Sequence, residues 1–173
     1  RRVVITGLGA VTPLGLTIDT IWEKLCQGVS GIGQITRFDA HDYPAQIAGE
    51  VHDFTPEHYI DKRDLRRMDR FVHFAMVASH DALQDAGLTI TESIADRVGV
   101  YIGTAFGGLE SLEAVHRTLL EKGPNRVSPL FPAMVLGNLA SGHVSMRFGA
   151  TGPNNSSVTA CAAGAHSIGE AFH

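Results

Sequence analysis

One cysteine followed by small residues is the strongest candidate for chemistry in this sequence. Cys161 lies within residues 158–164, where a β-branched run gives way to small residues, and this pattern predicts a strand-to-helix junction. The first turn of a helix has unpaired N–H groups and a partial positive charge, which favour thiolate over thiol. Those amides could also bind the oxyanion that forms when a thiolate attacks a thioester. The alternative is that Cys161 is a small buried apolar residue.

The second cysteine and the histidines show no comparable pattern. Cys26 stands between Leu25 and Gln27 near a predicted helix end, so we expect it to serve packing. His166 follows Cys161 by five residues on the same predicted helix, so its side chain should point away from the thiol. Neither the nine histidines nor the two cysteines have the paired spacing of a zinc site. We therefore expect no metal.

Residues 7–12 resemble the beginning of a dinucleotide-binding fingerprint after a strand. Thr12 replaces the third glycine, Pro13 interrupts the expected helix start, and no acidic residue ends a second strand at a suitable distance. The sequence therefore favours a tight chain connection over a nucleotide site, and we expect no cofactor.

Residues 62–70, which we call the basic segment, carry five positive and two negative charges on a chain with a net charge of −4. Helical spacings of three and four residues predict one shared face for Arg63, Arg66, Arg67 and Arg70. The residues alone leave two interpretations open: an ordinary solvated helix end, or a docking surface for an acidic partner.

Composition limits the class of protein. The 173 residues are 44% hydrophobic and 18% charged, which excludes a disordered or fibrous chain. The acidic balance offers no general attraction to nucleic acid or to an acidic membrane. No apolar run approaches the roughly 18 residues of a membrane span. Two distant cysteines indicate a reducing, cytoplasmic setting rather than a disulfide framework.

Hydrophobic periodicity predicts the elements that position these residues. Strands are predicted at residues 2–6, around 46–51, at 97–103 and at 155–160, and helices at 17–27, 61–86, 109–122, 133–148 and from 161 onward. Alternation of this kind predicts a layered α/β domain with a largely parallel sheet. The last predicted helix reaches His173 without a cap, glycine or proline, so we expect the chain to be a fragment.

Three motifs together resemble a known family. They are residues 3–15 (VVITGLGAVTPLG), the pair Gly107-Gly108 after a strand, and Gly152-Pro153 leading to Thr159-Ala160-Cys161. In this order they resemble the β-ketoacyl-acyl-carrier-protein synthases, most closely the type II, FabF-like elongating condensing enzymes. The resemblance runs along essentially all 173 residues. It covers only the N-terminal part of a family member, which would be more than twice as long.

The resemblance implies a fold and a reaction. The fold is thiolase-like, a layered αβαβα architecture of two similar halves, and the protein pairs as a homodimer. Residues 1–173 would form an incomplete N-terminal β-ketoacyl synthase domain. In the family a cysteine takes an acyl group from acyl-carrier protein, and malonyl-acyl-carrier protein then loses carbon dioxide and attacks the cysteine-bound thioester. Two histidines and a lysine that assist this step lie in the C-terminal half, so we expect residues 1–173 alone to be inactive.

The resemblance also implies roles for individual residues. Cys161 matches the acyl-accepting nucleophile. Four positions match or border the acyl pocket, namely Phe106, Gly107, Gly108 and, across a dimer interface, Phe131. Three match the carrier-protein docking surface, namely Arg63, Arg66 and Arg67. Phe106 is bulkier than the aliphatic residue of long-chain members, so its ring could shorten the acyl tunnel unless neighbouring residues compensate.

Four other functions stay open at this stage. Within the same fold the chain could belong to a polyketide-type ketosynthase or a thiolase. In another class it could be a non-catalytic scaffold or partner subunit, although such partners have generally lost the cysteine that matches Cys161. A thiol hydrolase would need a general base, and the sequence offers no candidate for one.

Overall fold

Short strands and helices alternate along residues 2–173, the part of the chain that this computed structural model describes. The helices are α1 (Ile18–Cys26), α2 (Lys62–Leu65), α3 (Arg70–Asp85), α4 (Leu109–Lys122), α5 (Phe131–Val135), α6 (Leu139–Phe148) and α7 (Ala163–Phe172). The strands are β1 (Gly33–Gln34), β2 (Ile47–Ala48), β3 (Val100–Tyr101) and β4 (Asn154–Asn155). Across residues 2–173, every helix is too short or too polar to cross a membrane.

Strands β3 and β4 pair in parallel, in the register Val100 to Asn154. Backbone hydrogen bonds continue this pairing beyond the short strands: they run from Val100 N–H to Pro153 O (2.8 Å), from Ile102 N–H to Asn155 O (3.2 Å) and from Thr104 N–H to Ser157 O (3.0 Å). The predicted parallel pairing is therefore confirmed. The regular strands are shorter than the predicted ranges 97–103 and 155–160.

The prediction of a buried strand at residues 2–6 is wrong. No regular strand forms there, and Val3, Val4 and Ile5 are 50%, 62% and 83% exposed. The segment lies along α3 instead, where Leu8 N–H donates to Asp85 Oδ2 at 2.8 Å. A β-branched run supplies the preference for extended backbone, but a strand also requires a partner, and none of the other described residues pairs with this run.

The core lies between α3 and α6. Its buried members are Ile60, Met68, Val72, Met76 and Val144. Val100, Ile102 and Phe148 pack against them from the side of β3 and α6. This apolar contact joins α3 and α6 to β3.

Two of the predicted long helices are interrupted. The predicted helix 61–86 breaks between α2 and α3, because Asp69 adopts extended backbone (ψ 161°) and its carboxylate caps α3. The predicted helix 133–148 breaks between α5 and α6, where Leu136 is extended (ψ 130°). By contrast, α4 covers residues 109–122 as predicted. Of the antiparallel pair β1–β2, β2 falls within the predicted strand around 46–51, whereas β1 lies outside every predicted strand.

Candidate active site

Cys161 lies at a sharp corner between strand and helix. Cys161 is the middle residue of a single 3₁₀ turn, Ala160–Ala162, and α7 follows this turn, so the helix begins two residues later than predicted. Ala160 has a φ of +50°, a left-handed conformation that costs a residue with a Cβ atom about 1–2 kcal/mol. The thiol of Cys161 is exposed. Cys161 is therefore not a small buried apolar residue in the described chain.

The backbone N–H of Cys161 lies at the N-terminal end of the 3₁₀ turn. The hydrogen bonds of the 3₁₀ turn begin with Ala162 N–H, which donates to Thr159 O at 3.1 Å. The N–H of Cys161 comes before this first donor of the turn. It therefore belongs to the positive end of the turn and of α7, where developing negative charge is stabilised.

His166 and the second cysteine, Cys26, make contacts of their own or lie elsewhere on the surface. His166 Nδ1 is 3.4 Å from Thr159 Oγ1 and its Nε2 is 3.6 Å from Glu170 Oε1, so its polar contacts go to these groups. The contact with Thr159 brings the ring back over the first turn of α7, so the expectation that His166 points away from the thiol stays a prediction. Cys26 is exposed at the end of α1, so the expectation that it serves packing is wrong for the described chain.

Residues 103–108, which we call the glycine loop, leave the β3–β4 pair beside α7. A Cβ atom on Gly103 would collide with Ala163 O and approach Ser167 Oγ to 2.8 Å. Gly107 has a φ of +88°, and a Cβ atom there would be 2.5 Å from Val135 O. Glycine is therefore required at both positions, since the loop is packed directly against α7 on one side and the end of α5 on the other.

Gly137 lies between the glycine loop and the segment that carries Cys161. A Cβ atom on it would be 2.9 Å from Thr104 Cγ2 and 3.1 Å from Val158 Cγ2. The structure therefore brings the loop with Gly107 and Gly108 close to the strand that leads to Cys161. Phe106 is 75% exposed at the outer tip of this loop, and Phe131, half-buried, begins α5.

The basic segment does not form one helical face, which corrects the sequence prediction. Arg63 lies in α2, Arg66 and Arg67 occupy the turn after it, and all three are exposed. Arg70 faces elsewhere: its Nη2 donates to Val51 O at 3.0 Å. Its guanidinium also lies over two aromatic rings, those of Phe54 (5.6 Å) and Phe74 (5.1 Å). Only three of the four arginines are therefore available to a partner on this surface.

Asp69 is a residue of this region that the sequence analysis did not single out. It is 6% exposed, its Oδ1 accepts a hydrogen bond from Phe71 N–H at 3.3 Å, and its Oδ2 accepts one from Ser111 N–H at 2.8 Å. An acidic residue before an apolar helical run is a recognisable signal for the cap of α3. The bond to Ser111 joins residues 42 apart and leaves no local signal.

A second, more exposed set of contacts holds the start of α4. Arg37 Nη2 donates to both carboxylate oxygens of Glu110 at 3.1 Å. Glu50 in turn accepts hydrogen bonds from the backbone N–H groups of Thr36 and Arg37, and from the Thr36 hydroxyl at 2.6 Å. The hydrogen bond from the Thr36 hydroxyl is the main cause that lowers the pKa of Glu50.

Comparison with known proteins identifies the family. The profile described as "Beta-ketoacyl synthase, N-terminal domain" matches residues 1–173. The chain belongs to the β-ketoacyl synthase family.

Relatives with an assigned name extend this result. The chain is 51% identical over 172 residues to 3-oxoacyl-[acyl-carrier-protein] synthase 2 of Staphylococcus aureus (strain COL), covering 99% of this chain and 42% of the relative. It is 52% identical over 172 residues to the protein of the same name in Synechocystis sp. (strain ATCC 27184 / PCC 6803 / Kazusa), covering 99% and 41%. The β-ketoacyl synthase chain therefore spans about two fifths of the length of these relatives.

Solved structures share the fold. A TM-score of 0.87 at 31% identity relates the chain to the ishigamide ketosynthase/chain length factor, covering 99% of this chain and 43% of that one. A β-ketoacyl synthase from Burkholderia phymatum STM815 gives 0.81 at 30% identity, covering 99% and 43%. A ketosynthase structure solved with its type II PKS acyl-carrier protein gives 0.78 at 26%, covering 98% and 45%. The predicted thiolase-like layered αβαβα class is confirmed, and this chain supplies mainly its N-terminal half.

Proposed function

We propose that the full-length protein is a 3-oxoacyl-acyl-carrier-protein synthase that elongates fatty acids. The observation that carries this proposal is the exposed thiol of Cys161, held by a left-handed Ala160 immediately before α7 and next to the glycine loop. The identity of about half of all residues to synthases of that name supports it. Cys161 is then the acyl-accepting nucleophile.

The first half-reaction transfers an acyl group to the chain. The Cys161 thiolate attacks the carbonyl carbon of an acyl-carrier-protein thioester, and a new C–S bond forms. The tetrahedral oxyanion accepts hydrogen bonds from backbone N–H groups at the corner before α7. Collapse of this intermediate breaks the original C–S bond, and the carrier thiolate leaves and takes up a proton. Acyl-Cys161 remains.

The second half-reaction forms the carbon–carbon bond. Malonyl-acyl-carrier protein loses carbon dioxide, and the resulting carbanion attacks the carbonyl carbon of acyl-Cys161. The Cys161 thiolate is expelled and the β-ketoacyl thioester stays on the carrier. By resemblance to the family, the two histidines and the lysine that assist decarboxylation belong to the C-terminal half. Residues 1–173 are accordingly an incomplete N-terminal β-ketoacyl synthase domain that does not condense by itself.

The acyl-carrier protein is the proposed partner of the basic segment. Arg63, Arg66 and Arg67 present three exposed positive charges on a chain with a net charge of −4, which suits an acidic carrier. A ketosynthase of similar fold has been solved in complex with a type II PKS acyl-carrier protein, which supports this kind of partner. The acyl chain would enter beside Phe106, Gly107, Gly108 and Phe131. We further propose a homodimer located in the cytoplasm.

A polyketide-type ketosynthase is the second candidate. The observation in its favour is the similarity of the fold to a polyketide ketosynthase, at 26% identity. The relatives named 3-oxoacyl-[acyl-carrier-protein] synthase 2 are much closer in sequence, at 51–52% identity. We therefore favour fatty acid elongation over polyketide synthesis, over a thiolase and over a non-catalytic partner subunit.

Mass spectrometry of the full-length protein tests the nucleophile. After incubation with acyl-carrier protein, wild type and Cys26→Ser should carry one acyl group on Cys161, and Cys161→Ser should carry none. Cys26 is a suitable control because it is the other exposed cysteine. Acylation at a residue other than Cys161 would refute the assignment. Carbon dioxide release that requires malonyl-acyl-carrier protein then separates a synthase from a thiolase or a scaffold.

A further inference from the structure

Asp69 is a buried carboxylate that connects the starts of two helices. Its Oδ1 accepts a hydrogen bond from Phe71 N–H in the first turn of α3, and its Oδ2 accepts one from Ser111 N–H in the first turn of α4. Hydrogen bonds to a charged acceptor are stronger than those between neutral groups, and burial at 6% exposure shields them from water. Asp69 therefore fixes where α4 begins relative to α3.

The α3 side of this connection is the basic segment. Arg66 and Arg67 occupy the turn that precedes Met68 and Asp69, and both arginines are exposed. One short turn thus carries the proposed carrier contacts on its outer side and the buried carboxylate at its end.

The α4 side is the glycine loop. A Cβ atom on Gly108 would be 3.0 Å from Asp69 Oδ2, so the carboxylate lies directly against the last residue of the loop. Gly108 N–H also donates to Val135 O at 3.0 Å. Phe106, two residues earlier, is 75% exposed, so little packing of its own holds the ring. Its position depends on the backbone that Asp69 holds.

The other contact at the start of α4 is weaker. The side chains of Arg37 and Glu110 are 45% and 63% exposed, and an ion pair as exposed as this contributes little. The buried bond from Ser111 N–H to Asp69 is therefore the stronger anchor of the glycine loop on this side.

We propose that Asp69 is a positioning residue that holds the glycine loop against the basic segment and thereby sets which acyl chains Cys161 accepts. This inference rests on the proposed function, in which Cys161 takes an acyl group from the carrier. Asp69 acts through the backbone of the loop and not on the reacting atoms.

The variant Asp69→Asn tests this role in the full-length protein. Its amide oxygen can still cap α3, whereas its NH₂ group cannot accept the hydrogen bond from Ser111 N–H. We expect the ratio of kcat/KM for long and short acyl-carrier-protein substrates to change by about tenfold, a usual size for discrimination in an apolar pocket. Alkylation of Cys161 by iodoacetamide should keep its wild-type rate.

Asp85→Asn is the matched control. Asp85 Oδ2 also accepts a hydrogen bond at 2.8 Å from a distant backbone N–H, that of Leu8, but it lies at the end of α3. In Asp85→Asn, the ratio of kcat/KM for long and short acyl-carrier-protein substrates should equal that of wild type. In a Phe106→Ala background, Asp69→Asn should change the ratio by less than about twofold, because no ring remains to be positioned.

The outcomes separate this inference from the proposed function. If wild-type Cys161 takes no acyl group, the proposed function fails. If it does, an equal loss for all acyl lengths in Asp69→Asn, or an undiminished shift in the Phe106→Ala background, overturns the positioning role alone. Should Asp69→Asn fail to fold, Asp69→Glu, which keeps the charge and displaces the carboxylate by one methylene, carries the same test.

Discussion

The backbone N–H of Thr104 donates a hydrogen bond to Ser157 O at 3.0 Å, beyond the last paired residues of β3 and β4. Because these two segments run in parallel, both leave the pair at the same edge. One leads to the glycine loop with Phe106, and the other leads to Cys161. This bond extends the parallel pairing to the point where two segments distant in sequence meet at one candidate site, as is usual at the carboxyl ends of parallel strands.

Reversing two charges on the basic segment should weaken carrier binding. The double variant Arg66→Glu with Arg67→Glu replaces two exposed positive charges by negative ones, so an acidic carrier meets repulsion. We expect the Kd for acyl-carrier protein to rise by about three- to tenfold at low salt, with a smaller difference at high salt. Calorimetric titration of the full-length protein measures this, and iodoacetamide alkylation of Cys161 should be unchanged.

A matched control for this prediction carries the same change in net charge. Arg97→Glu with Arg117→Glu reverses two exposed arginines away from the basic segment. Equal weakening in both double variants would indicate a general effect of net charge and would count against a docking surface at Arg66 and Arg67.

Replacing the aromatic ring of Phe106, at the tip of the glycine loop, by a smaller aliphatic side chain should change the preference for acyl chain length. Phe106→Ile removes aromatic bulk from a side chain that is 75% exposed at the edge shared with Cys161. We expect the kcat/KM ratio for long over short acyl primers to rise by about three- to tenfold. Phe38→Ile, also at an exposed phenylalanine (54%), is the control. A ratio unchanged in Phe106→Ile would mean that neighbouring residues compensate for the volume.

Local patterns account for the elements that the sequence predicts well. Helix α4 follows its predicted bounds because its periodicity is continuous and Gly123, at a φ of +80°, ends it. Helix α1 likewise begins close to its predicted start, because the hydroxyl of Thr17 caps the helix by accepting a hydrogen bond from Thr20 N–H. Cys161 is found from sequence because its neighbours are small and follow a β-branched run.

The remaining features depend on residues far away in sequence. The break before α3 is stabilised by the bond from Ser111 to Asp69, which no window of neighbouring residues contains. Residues 2–6 have strand propensity but lack a pairing partner in the described chain. The left-handed Ala160 before Cys161 carries no signal either, since alanine shows no preference for positive φ.

Half-buried His143 should make stability fall at acidic pH. Its Nε2 is buried without a hydrogen-bond partner in residues 2–173, and burial lowers the pKa of its side chain, against a smaller opposing effect of Asp64. The unfolded chain therefore binds more protons below the ordinary pKa of 6.5, so stability is lost as the pH falls from 6.5 through the folded-state pKa.

The variant His143→Leu removes this group and tests the effect. We expect the loss of Tm between a pH of about 7.5 and about 5.5 to shrink by roughly 1–2 °C relative to wild type. Between a pH of about 7.5 and about 9 the two Tm curves should run parallel, because His143 is neutral in both states there. A difference between the curves that is the same at every pH would assign the change to packing alone.

A methyl group at Gly103 should disturb the site through α7. The added Cβ atom would meet backbone, Ala163 O, which cannot move without shifting the first turn of α7 and with it the corner at Cys161. We expect Gly103→Ala to lower the free energy of unfolding by roughly 1–3 kcal/mol, and to slow acyl transfer to Cys161 in the protein that remains folded.

Gly142→Ala in α6, where nothing lies within 4 Å of the new atom, should instead raise stability by about 0.5–1 kcal/mol. Urea unfolding of the full-length variants measures both changes in the free energy of unfolding. If the Gly103→Ala protein is as stable and as readily acylated as wild type, the close packing of the glycine loop on α7 does not position Cys161.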